Sequence, residues 1–472
     1  MRRSSIDGET LFVERAWCIA AARTSAIWAT GPIVRSSIVF FRQARKQITF
    51  FRASAYDRGM LAPAYTDTPV LQPAPRNPEG PLRVVVLVRR SKSAGPSTHG
   101  IEWLPSESHL GAEGHGFLNH LLVDDSESNR LVRGIYAMVQ AARHGAIELG
   151  ILADCDETLF GPPSNHDDDP ISLPTTAALL NSATTRRPVD LLIVPHRQTD
   201  RVDPILIETL MRVAHRANVP TAIGVPADAL HVLPQAQAYQ QLRIRDESGW
   251  VALVAGDLIS PKHESIEAGL VSAVFALGAA VISSMARLDL PNFIGPVQGI
   301  AEGFRACWDT PEAALVFPDD GWVKVAVEGF VPIRGTPKEA LYFPAMPMMV
   351  DESRAAEPIH HLPWRMLLTR ILSNVRRARD ELLRDKPHAE VNAIRQTMEE
   401  ELNTLTATHG ALISPPIRSR RPLSDRSTIS VECTERGDRV LLTVYPHRAS
   451  TRREMVLRFE AVLARSSGPN EG

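Results

Sequence analysis

The segment "VDLLIVPHRQTDRVDPILIETLMRVAHRANVPTAIGVP", residues 189–226, decides the fold class. Its first part, "VDLLIVPH", is an apolar run ended by a turn former and reads as a buried strand. "DPILIETLMRVAHRAN" spaces its apolar residues as an amphipathic helix does, and "VPTAIGVP" reads as a second strand. Strand, helix and strand in succession make a β-α-β unit, whose strands pair in parallel within an α/β sheet.

The same alternation extends in both directions. Downstream, "WVALVAG" (250–256) is a further strand, and "IEAGLVSAVFALGAAVISSMA" (266–286) is apolar nearly all round, which predicts a buried helix. Upstream, "LRVVVLV" (82–88) predicts a strand. "SNRLVRGIYAMVQAARHG" (128–145) then places Leu131, Ile135, Met138, Val139 and Ala142 at helical spacing, and "IELGILADC" (147–155) is another strand candidate.

Toward the C-terminus, "LPWRMLLTRILSNVRRARDELL" (362–383) carries Trp364, Leu367, Leu368, Ile371, Leu372, Val375, Ala378 and Leu382 on one stripe with most arginines opposite. A second helix holds Val391, Ile394, Met398, Leu402 and Leu405, and Gly410 stands where a C-terminal cap would. The chain then alternates through "TISVEC", a turn at "ERGD", "VLLTVY" and "EMVLRFE", the pattern of a β-meander.

These readings divide the chain into five parts. Residues 1–59 are a basic N-terminal extension and 60–82 a proline-rich linker. An N-terminal α/β region follows over 83–187, then a central α/β domain over 188–350, then the helices and meander of 351–472. From Ala16 to Tyr56 no acidic residue occurs while Arg23, Arg35, Arg42, Arg45, Lys46 and Arg52 add positive charge, so a targeting or surface-binding segment is one reading and a plain extension the other.

With 472 residues and 44% hydrophobic content, the chain can bury substantial cores. Fifty-two Lys and Arg against 54 Asp and Glu leave no global field to recruit nucleic acid or an anionic membrane. Cys18, Cys155, Cys307 and Cys433 form no CxxC pair, which argues against a disulfide framework or zinc module and for a reducing cytoplasm. The apolar runs near the N-terminus are cut by Arg23 and Arg35, short of the ~18 residues a membrane span needs.

One stretch argues for an enzyme. "LADCDETLF" (152–160) places Asp154 and Asp156 two apart behind an apolar run and resembles the nucleophile loop of haloacid-dehalogenase-type phosphatases. That chemistry needs one Asp as nucleophile, the second as general acid/base, a phosphate-holding Lys and a later acidic pair for Mg²⁺. Lys262 and the pair Asp319–Asp320 are available, although Glu157 stands where that family has a small residue. The competing reading is a strand that ends in acidic residues and enters a Pro/Gly loop. "HDDD" (166–169) reads as a solvated acidic loop. His360–His361 are neighbours that do not share one face of an element, and "GAEGHG" (111–116) lacks a phosphate-loop spacing. No catalytic, cofactor-binding or metal-binding residue is expected.

Five stretches, in order, resemble the large subunit of the type VI secretion contractile sheath, a relative of phage tail-sheath proteins. They are "DPILIETLMRVAHRANVPTAIGVPADAL", "LRIRDESGWVALVAGDL", "VKVAVEGFVPIRGTPKEALYFPAMP", "LPWRMLLTRILSNVRRARD" and "RPLSDRSTISVECTERGDRVLLTVYPHR", together covering about residues 188–460. The fourth matches the family's helix motif at Leu362, Pro363, Arg370, Arg379 and Asp380. In this alignment Asp319 and Asp320 approach a family helix, which removes their metal role. The resemblance implies a tail-sheath-like α/β fold with a central mixed sheet, flanking helices and a C-terminal β-meander. It implies a cytoplasmic, non-enzymatic sheath subunit without cofactor. Partners implied are neighbouring protomers, a small sheath subunit, an inner tube protein, a baseplate and an AAA+ ATPase that disassembles contracted sheath. Strands exchanged between chains would seal its lattice, and Val440, Leu441, Leu442, Thr443, Val444 and Tyr445 are the candidate strand. A phage-type sheath needing no small subunit and a Mg²⁺-dependent phosphatase using Asp154 and Asp156 are the alternatives.

Overall fold

The computed structural model describes residues 81–90, 101–104, 125–141, 147–155, 189–198, 200–262, 267–286, 299–301, 303–307, 310–318, 320–336, 341–355, 357–386, 388–411, 427–434, 437–444 and 457–463. All of them lie in one compact unit, Glu79–Gly472. In chain order its main elements are β1 (Leu82–Arg90), β2 (Glu102–Trp103), α1 (Asp125–Ala141), β3 (Ile147–Cys155), β4 (Leu191–Val194), α2 (Pro204–Ala217), β5 (Thr221–Val225), α3 (Gln237–Arg243), β6 (Val251–Ala255), β7 (Asp257–Ile259), β8 (Leu270–Ser272) and α4 (Ala273–Ala286). The second half adds β9 (Gly299–Ala301), β10 (Val316–Phe317), β11 (Ile333–Arg334), β12 (Leu341–Phe343), α5 (Leu362–Asp385), α6 (Val391–Ala411), β13 (Thr428–Thr434), β14 (Gly437–Val444) and β15 (Leu457–Leu463). Single helical turns occur at Ala229–Val232, Trp322–Val327 and Glu352–Ala355.

The expected α/β architecture is present. A six-stranded sheet runs β2-β3-β1-β4-β5-β6, parallel throughout except for β2, which pairs antiparallel with β3 at one edge. It draws on both the 83–187 and the 188–350 segments. Every residue of β4, β5 and β6 is buried, so these strands read as unbroken apolar runs, as they must when helices cover both faces. The chain moves one way across the sheet from β1 through α1 to β3, and the other way from β4 to β6. Right-handed crossovers therefore set α1 and α2 on opposite faces.

Local chemistry fixes the decisive unit. Asp203 caps α2 by accepting the Ile205 N–H at 2.8 Å, and Pro204 supplies a first helical residue that needs no donor. Asn218 ends the helix in the left-handed region at φ 53°, with its N–H on the Ala214 and His215 carbonyls. α4 packs against α1 on the other face, where Gly134 and Gly278 admit Phe275 and Met138.

Two expectations are corrected. The helix predicted over 266–286 begins at Ala273, because Leu270–Ser272 is drawn into antiparallel pairing with β7. Gly410 does not end its helix, since α6 continues to Ala411; an interior glycine costs about 1 kcal/mol, too little to stop a helix alone. A four-stranded sheet, β10-β11-β12-β9, packs beside the main one. The outer side of β6 is sealed rather than open: Val331 donates to Leu253 O at 2.7 Å and Met349 to Val251 O at 2.6 Å.

Candidate assembly site

In an open parallel sheet, ligands bind outside the carboxyl ends of the strands, where the strand order reverses. Counting only the parallel strands, the order here is second, first, third, fourth, fifth, so the reversal lies between β1 and β4. Arg89 is the last residue but one of β1, and His196 follows β4. Both are buried in ion-paired clusters made by the chain itself.

Arg89 pairs with Asp200, the two side chains 4% and 7% exposed, and Arg197 adds its backbone N–H at 2.8 Å and Nε at 3.0 Å to the same carboxylate. Burial raises the Asp200 pKa, yet Arg89 and Arg197 outweigh it and hold the carboxyl below its ordinary value. Alongside, Ser272 Oγ lies 2.9 Å from His196 Nδ1 and Asp257 Oδ1 lies 3.1 Å from His196 Nε2, with Arg130 donating to Asp257. Burial likewise opposes ionisation of Asp257, and hydrogen bonds from His196 and Arg130 reverse the effect. Ser, His and Asp are the residue types of an acyl-transfer triad. Here, however, the serine and aspartate are at most 1% exposed, and Ser272 Oγ packs against Gly224, so no substrate reaches the hydroxyl. Sequence patterns missed this cluster because its four members come from four separate elements.

Of the phosphatase candidates, Asp154, Lys262 and Asp320 lie within the described residues. Asp154 takes the register position opposite Arg89 on β1, while Lys262 is exposed and pairs with Glu267 at 2.8 Å. Asp320 is exposed and pairs with Arg334 at 3.2 Å. Asp156, Asp319, "HDDD" and "GAEGHG" lie outside the described residues. Among the described residues no group of three His, Cys, Asp or Glu could hold a metal ion, and none of the helices is long and apolar enough to cross a membrane. His360 and His361 are buried; desolvation depresses their pKa values to about 3 and about 4, with Arg365 and Arg354 adding to the effect at His360.

The motif residues of α5 are gathered. Leu362 and Pro363 form its buried first turn, and Arg370 Nε lies 4.0 Å from Asp190 Oδ1 at the entrance to β4. Arg379, 2% exposed, donates through Nη1 to Asp438 Oδ2 at 2.9 Å and through Nη2 to Asp380 Oδ1 at 2.8 Å. One helix thus grips the main sheet at one point and the meander at another. Three further contacts seat the meander. Trp250 and Phe459 rings lie 5.4 Å apart, the Arg365 guanidinium sits 4.9 Å from each, and Asn218 Nδ2 donates to Val462 O at 2.9 Å.

The meander is three-stranded, β13-β14-β15, antiparallel throughout. β14 carries Val440, Leu441, Leu442, Thr443 and Val444, and it is paired on both sides within the chain; Tyr445 lies outside the described residues. Val440, Leu442 and Val444 point into the core and Leu441 outward. The Ile429 N–H meets Glu399 Oε1 at 3.4 Å, so the backbone groups of Ile429, Val431 and Cys433 face away from β14. By the same alternation those of Arg458, Glu460 and Val462 face away from it on β15.

No protein-family model and no curated protein matches the chain. Among solved structures it is similar to the 6-fold symmetrised baseplate of the anti-feeding prophage, with 10% identity, 82% of this chain and 92% of that chain covered, and a TM-score of 0.42. It is similar also to the helical sheath of the anti-feeding prophage in its contracted state, with 10% identity, 82% and 91% covered, and a TM-score of 0.42.

Proposed function

We propose that the chain is a structural subunit of a contractile sheath of the type VI secretion class, polymerising around an inner tube protein in the bacterial cytoplasm. The observation that carries this reading is the placement of the motif helix. Its Arg370 engages the main sheet and its Arg379 the C-terminal meander, as expected if the five stretches that resemble the sheath family form one mechanical unit.

The crevice where an α/β enzyme would bind its substrate is filled by Arg89–Asp200 and by the His196 cluster, which favours a scaffold over an enzyme. Strand exchange, on this reading, uses the outward edge of β13 and the stretch of β15 before Val462, whose carbonyl Asn218 holds, with β14 as the bonded centre of the sheet that neighbours extend. The small sheath subunit is the first partner for those edges. Contacts between protomers are heterologous and do not close, so the assembly grows as a helix. A baseplate and an AAA+ ATPase acting on contracted sheath complete the machine.

Negative-stain electron microscopy of the chain alone and with a small-subunit candidate tests this. Tubes or cogwheel rings that require the partner support the two-component reading; tubes formed by the chain alone indicate a phage-type sheath. Small particles in both samples, together with phosphatase turnover lost in Asp154→Asn, would replace the reading with the enzyme.

A further inference from the structure

Arg365 is a buried cation without a counter-charge among the described residues. It stands on the first turn of α5, 5% exposed, with its guanidinium 4.9 Å from the ring centroids of both Trp250 and Phe459. No hydrogen bond or ion pair reaches its guanidinium, and its Nε is buried with no acceptor. The nearby carboxylates are engaged elsewhere: Asp351 with Ser353 and Arg354, Asp246 with Arg354, and Glu357 3.7 Å from His360 Nε2. Burial, with Arg354 adding to it, lowers the Arg365 pKa to about 9, a measure of how poorly the charge is compensated.

His360 Nδ1, His361 Nδ1 and Trp364 Nε1 are buried without partners. His361 is the N-cap residue of α5 and makes no side-chain capping bond, while the Leu362 N–H donates to Met346 O and Pro363 has no N–H to satisfy. An ideal Cβ on Gly249 would stand 2.6 Å from Arg365 Nη2 and 3.4 Å from His360 Nδ1, so both nitrogens lie next to the same residue, one with no side chain.

We propose that Arg365 and His360, at the N-terminus of α5, form a receptor for an oxyanion of the carboxylate class. A guanidinium presents paired N–H groups that match two oxygens of one anion, and a neutral imidazole can donate a further bond. The oxyanion is either an acidic side chain of a second copy of the chain or a free small anion. This inference stands independently of the sheath reading, since a chain that never forms tubes can still bind the anion.

The test is thermal unfolding of the full chain in acetate against chloride at matched ionic strength, over a series of protein concentrations. A ligand that binds only the folded state raises the midpoint with the logarithm of its concentration, and the wild type should show this. Arg365→Met should abolish the response while unfolding no earlier than wild type in chloride, because an apolar side chain replaces an uncompensated charge. If the source is a second copy, the wild-type midpoint in chloride climbs with protein concentration and the acetate effect shrinks as it does; if the source is free anion, the acetate effect is the same at every concentration. His360→Gln keeps the guanidinium and should weaken acetate binding several-fold, which gives a reading even if Arg365→Met does not fold. A wild type indifferent to both acetate and concentration, an undiminished response in Arg365→Met, or unchanged affinity in His360→Gln would each overturn the proposal and leave Arg365 a packing role between Trp250 and Phe459.

Discussion

Arg379 on α5 and Asp438 on β14 form an ion pair of 2.9 Å with the arginine side chain 2% exposed. It joins a helix to a strand 59 residues further along the chain. Removing one member of such a pair leaves a buried charge uncompensated, which costs about 3–5 kcal/mol, whereas replacing both by apolar groups is often neutral. Arg379→Ala should therefore lower the denaturant midpoint steeply, and Arg379→Met with Asp438→Leu should recover most of the loss. Guanidinium titration of the three proteins checks it. Hydrogen exchange should rise first in β13–β15.

Acid should weaken the fold in a defined window. The His361 pKa is held at about 4 in the folded chain because burial disfavours the charged ring, and that of His360 at about 3 by burial, Arg365 and Arg354. The unfolded chain binds these protons near pH 6.5, so the stability is complete above 6.5 and is lost as the pH falls from there toward 4, by up to about 1.4 kcal/mol per unit for each histidine. Urea midpoints at pH 7, 5.5 and 4.5 should decline in wild type and decline less in His361→Gln. Asp200 and Asp257, with pKa values lowered below the ordinary carboxylate, lose their stabilising pairs only at still lower pH.

Gly256 links β6 to β7 at φ +81°, and a Cβ there would stand 2.6 Å from Ala314 backbone atoms. Gly256→Ala combines left-handed strain of about 1–2 kcal/mol with a backbone clash that no rotamer relieves. The expected outcome is a markedly lower thermal midpoint, or insoluble protein, with Gly303→Ala the milder control because its nearest neighbour is the Pro261 ring at 3.2 Å.

The edge and the centre of the meander should respond differently to proline. Val431→Pro removes an N–H that points away from β14 and should leave the monomer folded while blocking growth at that edge. Leu441→Pro removes a donor from the bonded centre and should unfold the meander. Circular dichroism of the monomers, followed by microscopy with the small-subunit candidate, separates the two effects. Assembly by Val431→Pro at the wild-type level would exclude the β13 edge.

What could be read from the sequence follows from how local each signal is. β4, α2 and β5 were legible because a strand, a capped helix and a second strand each fall within one short run. Arg370 and Arg379 were legible only through resemblance, since Asp190 and Asp438 lie far from them in the chain. The His196 cluster was invisible because Arg130, His196, Asp257 and Ser272 meet only after the sheet has formed. Leu270–Ser272 was misjudged as helix because its apolar residues suit either state, and pairing with β7 decides between them.

Asn218 has two duties. Its backbone ends α2 in a left-handed turn two residues before Pro220 leads into β5, and its side chain holds Val462 O on the last strand. A pull on the C-terminal strand is therefore carried by one amide to the turn that feeds β5 of the main sheet. Arg379 carries a second share through α5 to Arg370 and the start of β4. Load entering at the meander reaches the neighbouring strands β5 and β4 by two separate routes, so the meander can bear tension as a tether anchored at two points of the main sheet.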